Sequence, residues 1–473
     1  MDKKIFTWLG AAMLLAGLSS LAGYAQSVTT PTDTAGIATS ATKDTLRLTL
    51  QDALQVAMSE SRTLKIADQE VEKANYDKRS AIAKLLPTVD ASGDYSYTLK
   101  KQVMYLGSMK MPGMPEGESN KGIEVGRSYQ VAGGISAGMP LLNVQLWKSV
   151  QLSKEAMELA VLKSEESKIT LYTQVVKAYY GIMLAQESAK VIQQSYDNAK
   201  VNYEQIANRY SLGMVAEFDK IRADVAVKNL EPQLQDAQNA IRNAQNQLRI
   251  LLSLPLEQPI ACVGELKDLE GDMYRKYFNA TALPSQNNQL KQLDAQIQML
   301  RTQLSMTKSA FLPTVTLSGV YRTSAMDDAF SWRNYIWSPY SMVQLTLSIP
   351  LFRGGDRINA VKKSQLSLQQ AQLQRQQLQE TVQVQAQQYQ DNIKTAVKQY
   401  VTAKEAITQA EKGYEIAKKR YDLGSSTLVE LNDANLVLAQ TRLGYLQSIY
   451  GYISNEADLQ AVYGITPILT PQH

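Results

Sequence analysis

The sequence LPTVDASGDY at residues 86–95 occurs again as LPTVTLSGVY at residues 312–321. Two shorter motifs repeat in the same order. PLL at residues 140–142 returns as PLF at residues 350–352, and RYSLG at residues 209–213 returns as RYDLG at residues 420–424. The copies lie 210 to 226 residues apart, much further than the period of about 20–50 residues that marks a solenoid. The chain is therefore a duplicated half-protein, and its two halves should build similar structures.

Each half begins with a helical pattern that leads into a β-hairpin. Residues 50–86 carry leucine and alanine at helical spacing, and Pro87 ends this helix because the residue before a proline disfavours the helical conformation. From residue 89 to residue 99 apolar and polar residues alternate strictly, which predicts a strand with one apolar face. A partner strand is expected at about residues 129–139, and the second half repeats this pattern.

Each hairpin is followed by a long helix and a returning helix. Apolar residues spaced alternately by four and three, from Tyr389 to Tyr421, predict a left-handed supercoiled seam. The equivalent helix of the first half covers about residues 143–210, or roughly 100 Å at about 1.5 Å per residue. Gly213 and Gly424 are expected to end these helices as left-handed caps. The returning helices, 217–252 and 428–463, have half this length, so half-length helices should stack end to end beside a full-length one.

The first residues of the chain predict an export signal. Lys3 and Lys4 precede an apolar stretch, and small residues surround a cleavage site near Ala25; a short anchor helix is the alternative. No later stretch of 18 apolar residues could cross a membrane as a helix. The expected division of the chain is as follows: signal peptide 1–25, polar segment 26–48, first repeat 49–253 with hairpin 88–139, equatorial linker 254–284, second repeat 285–464 with hairpin 314–350, and tail 465–473.

The composition argues against several classes of function. A net charge of +4 with 20% charged residues and no basic cluster indicates no nucleic-acid partner. A single cysteine, Cys262, and a single histidine, His473, exclude an intrachain disulfide, a Cys/His metal site and a histidine-based triad. We therefore expect no enzyme activity, no catalytic residue, no cofactor and no metal site. Four methionines between residues 104 and 114 leave a soft-metal site open, with simple loop filling as the alternative.

Four strands per chain cannot form a closed barrel. Two strand edges stay open, and open edges do not occur in lipid, so a membrane-spanning form must be an oligomer. The alternative is a small soluble sheet that caps a coiled coil. The aromatic residues of the second hairpin loop, between residues 322 and 340, suit either a membrane interface or an ordinary folded loop.

The two LPTV strands, the two Pro-Leu strand exits and the two Arg-Tyr-x-Leu-Gly turns together resemble the TolC-like outer-membrane efflux proteins, over nearly all of the mature chain. This resemblance implies a mainly α-helical fold with a small transmembrane β part. It implies a homotrimer with a twelve-stranded β-barrel and a long periplasmic α-barrel. Proteins of this family are not enzymes. They lie in the outer membrane, contact its lipid and join an inner-membrane transporter through a periplasmic adaptor, also called a membrane fusion protein.

The resemblance also implies roles for residues at the two turns. The positions that match adaptor-docking tips are Arg209, Leu212, Gly213, Arg420, Leu423 and Gly424. Those that match the constriction of the closed gate are Asp219, Tyr421, Glu430 and Asp433. Cap geometry alone also accounts for the glycines, and acids in a first helical turn stabilise a helix without any gate. Ser426 stands where some members carry an arginine, which puts a salt-bridged closed state in doubt.

These features predict a passive duct in efflux or type I secretion, with an iris-like periplasmic gate. The alternative from a different class is a trimeric coiled-coil structural or adhesive surface protein without an open lumen. A stalk needs no internal duplication, which favours the duct. The sequence does not specify the cargo, the transporter or the adaptor.

Overall fold

The structure is a computed structural model and describes residues 45–105, 123–271, 286–330 and 335–465. These residues lie within one compact unit, Thr45–His473. The helices are α1 (Leu50–Glu60), α2 (Arg62–Ala83), α3 (Val144–Ser211), α4 (Glu217–Leu251), α5 (Asn288–Lys308), α6 (Asp356–Asp422) and α7 (Leu428–Val462). The strands are β1 (Leu46–Leu48), β2 (Thr88–Tyr97), β3 (Gln102–Met104), β4 (Ile123–Val125), β5 (Tyr129–Leu142), β6 (Ile260–Cys262), β7 (Thr314–Asp327) and β8 (Ser338–Ser348).

The two hairpins join into one antiparallel sheet with the strand order β2-β5-β7-β8. The duplicated halves therefore meet along the β5–β7 ladder, and β2 and β8 form the two edges. β5 continues to Leu142, three residues beyond its expected end, and its register with β7 shifts between Pro140 and Leu142. Such an irregularity accommodates a proline, which has no N–H for the ladder.

Four short strands lie outside this sheet. β3 pairs with β4 within the connection between β2 and β5, and β1 pairs in parallel with β6. β6 belongs to the segment expected to be a linker. This segment therefore contributes one strand to a two-stranded sheet with β1. These three-residue strands could not be predicted, because so short a stretch shows no periodicity.

The long helices α3 and α6 contain 68 and 67 residues. Helices α5 and α7 each pack against both of them, whereas α2 and α4 pack mainly against α3. Shorter helices thus lie end to end beside a long helix in each half, as the lengths in the sequence predict. In the part of the chain that the structure describes, no helix is long and apolar enough to span a membrane.

The expectation of one uninterrupted helix over residues 50–86 is wrong. The chain leaves the helical conformation at Ser61, where ψ is 125°, and α2 begins at Arg62. The backbone N–H of Arg62 donates to Oγ of Ser253, which follows the end of α4. This bond satisfies an N–H group that a helix start leaves without an intrahelical acceptor.

The main core lies where the helices meet the β1–β6 ladder. Tyr179 and Ile182 of α3 pack there with Tyr400 of α6 and Ile449 of α7, and all four are almost fully buried. The Tyr179 hydroxyl lies 2.7 Å from the carbonyl oxygen of Val263, which follows β6. The core therefore fixes the long helices to the segment around β6, and the two ends of each long helix lie outside the core.

Candidate site at the helix-turn tips

Each long helix ends in the same capped turn. After α3, Gly213 has φ of 71° and its N–H bonds to the Tyr210 carbonyl, while the N–H of Met214 bonds to the Arg209 carbonyl. After α6, Gly424 has φ of 70°, with equivalent bonds to Tyr421 and from Ser425 to Arg420. This is the Schellman geometry, which favours glycine because other residues are strained at positive φ. The two expected left-handed caps are confirmed.

The second turn contains a short hydrogen-bonded chain. Thr427 caps α7, since its hydroxyl oxygen accepts from the backbone N–H of Glu430 at 3.3 Å. The Ser426 hydroxyl donates to the Glu430 carboxylate at 2.5 Å. Ser426 therefore holds the Glu430 carboxylate by a hydrogen bond from a neutral hydroxyl.

Tyr421 brings the two turns together. It packs half-buried against the tip cluster, which we define as the buried residues Ile206, Ala223 and Leu428. The guanidinium of Arg209 lies over its ring, with Cζ 6.0 Å from the ring centre. This is a cation–π geometry. Arg209, which the sequence predicts at a docking tip, thus places its charge on the tyrosine of the other turn; its contact with an adaptor stays a prediction.

The charges around Tyr421 act on its hydroxyl. Burial raises the pKa of Tyr421; the positive charge of Arg209 opposes this rise, and the negative charge of Asp219 adds to it. Asp219 therefore lies near enough to interact with the same hydroxyl. The structure thus gathers Arg209, Asp219 and Tyr421 at one place, although they come from both halves of the duplication.

The other expected site residues are more exposed. Asp433 lies on the surface of α7 with Glu430 one turn before it. Leu212 and Leu423 have 73% and 84% of their surface exposed, so each turn presents a leucine to its surroundings. A side chain at either cap glycine would meet no atom within 4 Å, which leaves the outer surface of both turns open.

Sequence reasoning missed an apolar stripe next to the first turn. Met214, Phe218, Ile221 and Val225 are all about half exposed or more, and the last three lie one turn or less apart along α4. The spacing of three and four residues is the signal that could have revealed it. The equivalent positions after the second turn carry Ser425, Val429, Asn432 and Leu436, so that stripe is interrupted by polar residues and the two turns differ in chemistry.

A second cluster lies at the level of the main core, well away from the turns. The carboxylate of Glu270 accepts hydrogen bonds from Tyr400 at 2.7 Å, from Lys404 at 2.6 Å and from Tyr445. Burial opposes the ionisation of Glu270, but the hydrogen bonds from Lys404 and the two tyrosines outweigh it and lower its pKa to about 2. This equatorial cluster ties the segment after β6 to α6 and α7.

The described residues contain no group of three or more His, Cys, Asp or Glu that could hold a metal ion. Of the four loop methionines, Met104 lies in β3 and is half exposed. Met109, Met111 and Met114 lie outside the described residues, as do Trp332 of the second loop and the expected signal peptide.

The arrangement defines a class of protein: a duplicated helical hairpin structure that carries a four-stranded sheet at one end and paired helix turns at the other. A family model described as outer membrane efflux protein matches residues 53–253 and 281–465, well over half of the chain. The chain belongs to this outer membrane efflux protein family.

Individual proteins show the same likeness at low identity. The outer membrane protein TolC of Escherichia coli is 20% identical over 428 residues, which cover 85% of this chain and 80% of that protein. The pyoverdine export outer membrane protein OpmQ of Pseudomonas aeruginosa is 20% identical over 425 residues, with coverage of 85% and 83%. The Campylobacter jejuni CmeC outer membrane channel superposes with a TM-score of 0.69 at 18% identity and covers 88% of this chain and 85% of its own. The expected fold class, mainly α-helical with a small β part, is confirmed, and the trimer and its two barrels stay predictions.

Proposed function

We propose that this protein is the outer-membrane exit duct of a tripartite efflux or type I secretion system. Three copies close a twelve-stranded β-barrel and a periplasmic α-barrel, and the helix turns form a gate that an adaptor and an inner-membrane transporter open. The cargo crosses passively. The family membership supports an efflux channel and no catalytic role.

The observation that carries this proposal is the pair of open sheet edges. β2 and β8 have 10 and 11 residues, which matches the roughly 9–11 residues that a tilted strand needs to cross a bilayer. Among the strands that the structure describes, each edge strand has a neighbour on one side only. Lipid cannot satisfy the backbone groups of an open edge, so β8 of one copy must pair with β2 of the next.

The two faces of the sheet fit lipid on one side and water on the other. Val343 and Leu345, on the apolar face of β8, are 80% and 64% exposed in the single chain. Asp94 and Arg322 lie on the opposite face and form an ion pair at 2.6 Å. This pair bridges β5 above Gly134, where a Cβ atom would stand only 2.5 Å from the carbonyl oxygen of Tyr321. Charged residues on one face and exposed aliphatic residues on the other are typical of a membrane barrel with a wet lumen.

The helices have unpartnered flanks that continue the sheet edges. Along α6, aliphatic side chains remain more than half exposed at Ile358, Leu366, Leu373 and Val384. On the other flank, at the same sheet-side end of the long helices, α2 leaves Ile66 and Tyr76 more than half exposed. Two exposed apolar flanks on opposite sides of one chain fit a ring of identical copies, because each flank can cover the other.

The proposed gate and the proposed docking tips are both located at the helix turns. Asp219, Tyr421, Glu430 and Asp433 would each occur three times in the trimer, and rings of carboxylates favour cations in a pore. The exposed leucines at both turns, with Arg209, Arg420 and the cap glycines, would form the surface that the adaptor contacts. Opening would separate the turn of α6 and α7 from that of α3 and α4.

The location and the division of the chain complete the proposal. After removal of the signal peptide near Ala25, the protein would enter the outer membrane through hairpins 88–139 and 314–350. The repeats 49–253 and 285–464 would form the wall, and the segments 26–48, 254–284 and 465–473 would lie at the equator or at the ends of the repeats.

Native mass spectrometry and planar-bilayer recording of the purified full-length protein test the proposal together. We expect a particle of three chains and a small, cation-selective conductance, since the gate is closed without the adaptor. A trimer with no conductance under any condition would support the coiled-coil stalk instead. A monomer that stays soluble without detergent would exclude the duct.

A further inference from the structure

The seam of α7 that faces α3 contains a buried asparagine. Spacings of three and four residues place buried side chains at Leu428, Leu431, Asn435 and Leu438; the next position is the part-exposed Arg442, and buried side chains follow at Tyr445, Ile449 and Tyr452. A polar residue at one seam position fixes the register of two helices and lowers the stability of their contact. Asn435 therefore marks a particular level along the α3–α7 interface.

Asn435 forms a buried hydrogen-bond bridge to α3. Its side-chain amide donates to Oγ of Ser195 at 3.0 Å, and its side-chain oxygen accepts from Nδ2 of Asn198 at 3.2 Å. Asn202, one turn further along α3, is also buried, and its Nδ2 has no hydrogen-bond partner among the described residues. We name Ser195, Asn198, Asn202 and Asn435 the polar layer.

The polar layer separates two apolar regions. On α3, the buried residues between Met183 of the main core and Ile206 of the tip cluster are Ser195, Ala199 and Asn202. The tip cluster is accordingly distinct from the main core in its packing. Between them, hydrogen bonds between neutral groups take the place of part of the apolar packing, and such bonds contribute little net free energy in proteins.

On the main-core side of this layer, contacts between charged groups also hold the helices together. Lys177 of α3 and Asp458 of α7 form an ion pair at 2.6 Å, and the Glu270 cluster fixes α6 and α7 to the equatorial segment. Movement of α7 relative to α3 at that level would break these contacts. On the turn side of the polar layer, the contacts that oppose movement are smaller: the tip cluster, the buried Leu431 and the Arg209–Tyr421 contact.

We propose that the polar layer is the hinge boundary of the gate. Between this layer and the turns, α7 moves away from α3 over the whole segment at once. On the main-core side of the layer, both helices stay in place. Asn435 is the positioning residue of this boundary. Water can replace the bonds of an amide as α7 moves, whereas an apolar layer would have to be exposed at full cost. Asn202, with an unused donor, is a ready site for the first water. The inference rests on the proposed gate.

Hydrogen–deuterium exchange of the full-length protein in detergent tests the boundary without requiring conductance. In the unmodified protein we expect the amides at residues 199–211 and 428–434 to exchange together, and faster than those at residues 171–183 and 445–459. Units that open cooperatively below the global stability show this behaviour. A gradual change along both helices, with no step near Ser195 and Asn435, would overturn the inference.

Two variants shift the boundary in opposite directions. Ser195→Ala with Asn435→Leu replaces the two buried members of the polar layer's central bond by apolar groups, while the part-exposed Asn198 can bond to water. This variant should slow exchange of the tip amides about tenfold, as apolar replacements of buried polar groups often stabilise. Asn435→Ala leaves Ser195 and Asn198 without their partner and should accelerate tip exchange about tenfold. Gln440→Leu, the same kind of change at an exposed position of α7, is the matched control and should leave tip exchange unchanged.

The result also separates this inference from the proposed function. If the unmodified protein shows the exchange step but conducts no ions, the duct fails and the boundary stands as a property of the fold. If it conducts, and the double variant neither slows tip exchange nor reduces channel opening, the duct stands and the polar layer is not its hinge.

Discussion

Arg209 and Tyr421 belong to different halves of the duplication, and the guanidinium of one lies over the ring of the other at 6.0 Å. This contact joins the turn after α3 to the turn after α6. The structure therefore places a cation of the first turn over an aromatic ring of the second turn, in addition to Arg420, which belongs to the second turn itself.

Removal of this cation should favour the open gate. Arg209→Gln eliminates a cation–π contact of about 0.5–1 kcal/mol at an exposed site, which corresponds to a roughly two- to fivefold rise in open-channel probability in planar bilayers. Lys220→Gln is the matched control, because Lys220 lies over Tyr210 at 5.0 Å within the first turn and does not join the two halves. Equal effects of both substitutions would contradict the assignment.

Simultaneous loss of the second-turn contacts should have a larger effect. Glu430→Ala with Tyr421→Phe removes the acceptor of the Ser426 hydroxyl and the hydroxyl that interacts with Arg209 and Asp219. Bilayer conductance of the isolated protein should rise clearly above that of either single variant. If conductance stays at the level of the unmodified protein, these residues do not form the gate.

Two glycines at helix ends should differ in their tolerance of alanine. Gly424→Ala places a side chain at φ of 70° in open space, so only backbone strain of about 1–2 kcal/mol applies. Gly464→Ala has nearly the same φ, 67°, but its Cβ would lie 2.6 Å from the carbonyl oxygen of Gln286. The thermal midpoint should fall further for Gly464→Ala. Similar midpoints for the two variants would show that the close contact relaxes at little cost.

The equatorial cluster should make stability depend on acid pH. The pKa of Glu270 lies at about 2 in the folded protein, below its ordinary 4.5, so its ionised form stabilises the fold above pH 4.5. This stabilisation is lost as the pH falls from 4.5 toward about 2. Glu270→Gln should therefore lower the thermal midpoint at pH 7 and have a smaller effect at pH 3.

A surface carboxylate supplies the comparison for that measurement. Glu70 pairs with Lys73 on α2, and both side chains are more than half exposed. Glu70→Gln should change the midpoint little at either pH, since exposed ion pairs contribute about 0–1 kcal/mol. If Glu270→Gln lowers the thermal midpoint by the same amount at pH 7 and at pH 3, the ionised cluster is not the cause of the difference.

Local chemistry explains which parts of the site were predictable. The ends of α3 and α6 follow from Gly213 and Gly424, and the first-turn positions of Asp219 and Glu430 follow by counting from those glycines. Counting residues from these glycines does not show in which direction the Arg209 side chain extends. Its partner depends on the relative placement of two helix pairs whose turns are about 210 residues apart in sequence.

The sequence by itself determined the duplication, the alternating strands and the ends of the long helices, because each depends on residues within a few positions of one another. Only the tertiary structure decided the break at Ser61, the parallel β1–β6 ladder and the contact of Arg209 with Tyr421. The break at Ser61 depends on Ser253, 191 residues from Arg62, which accepts the N–H bond of the new helix. Contacts of this kind are selected by packing between distant segments, and no local pattern records them.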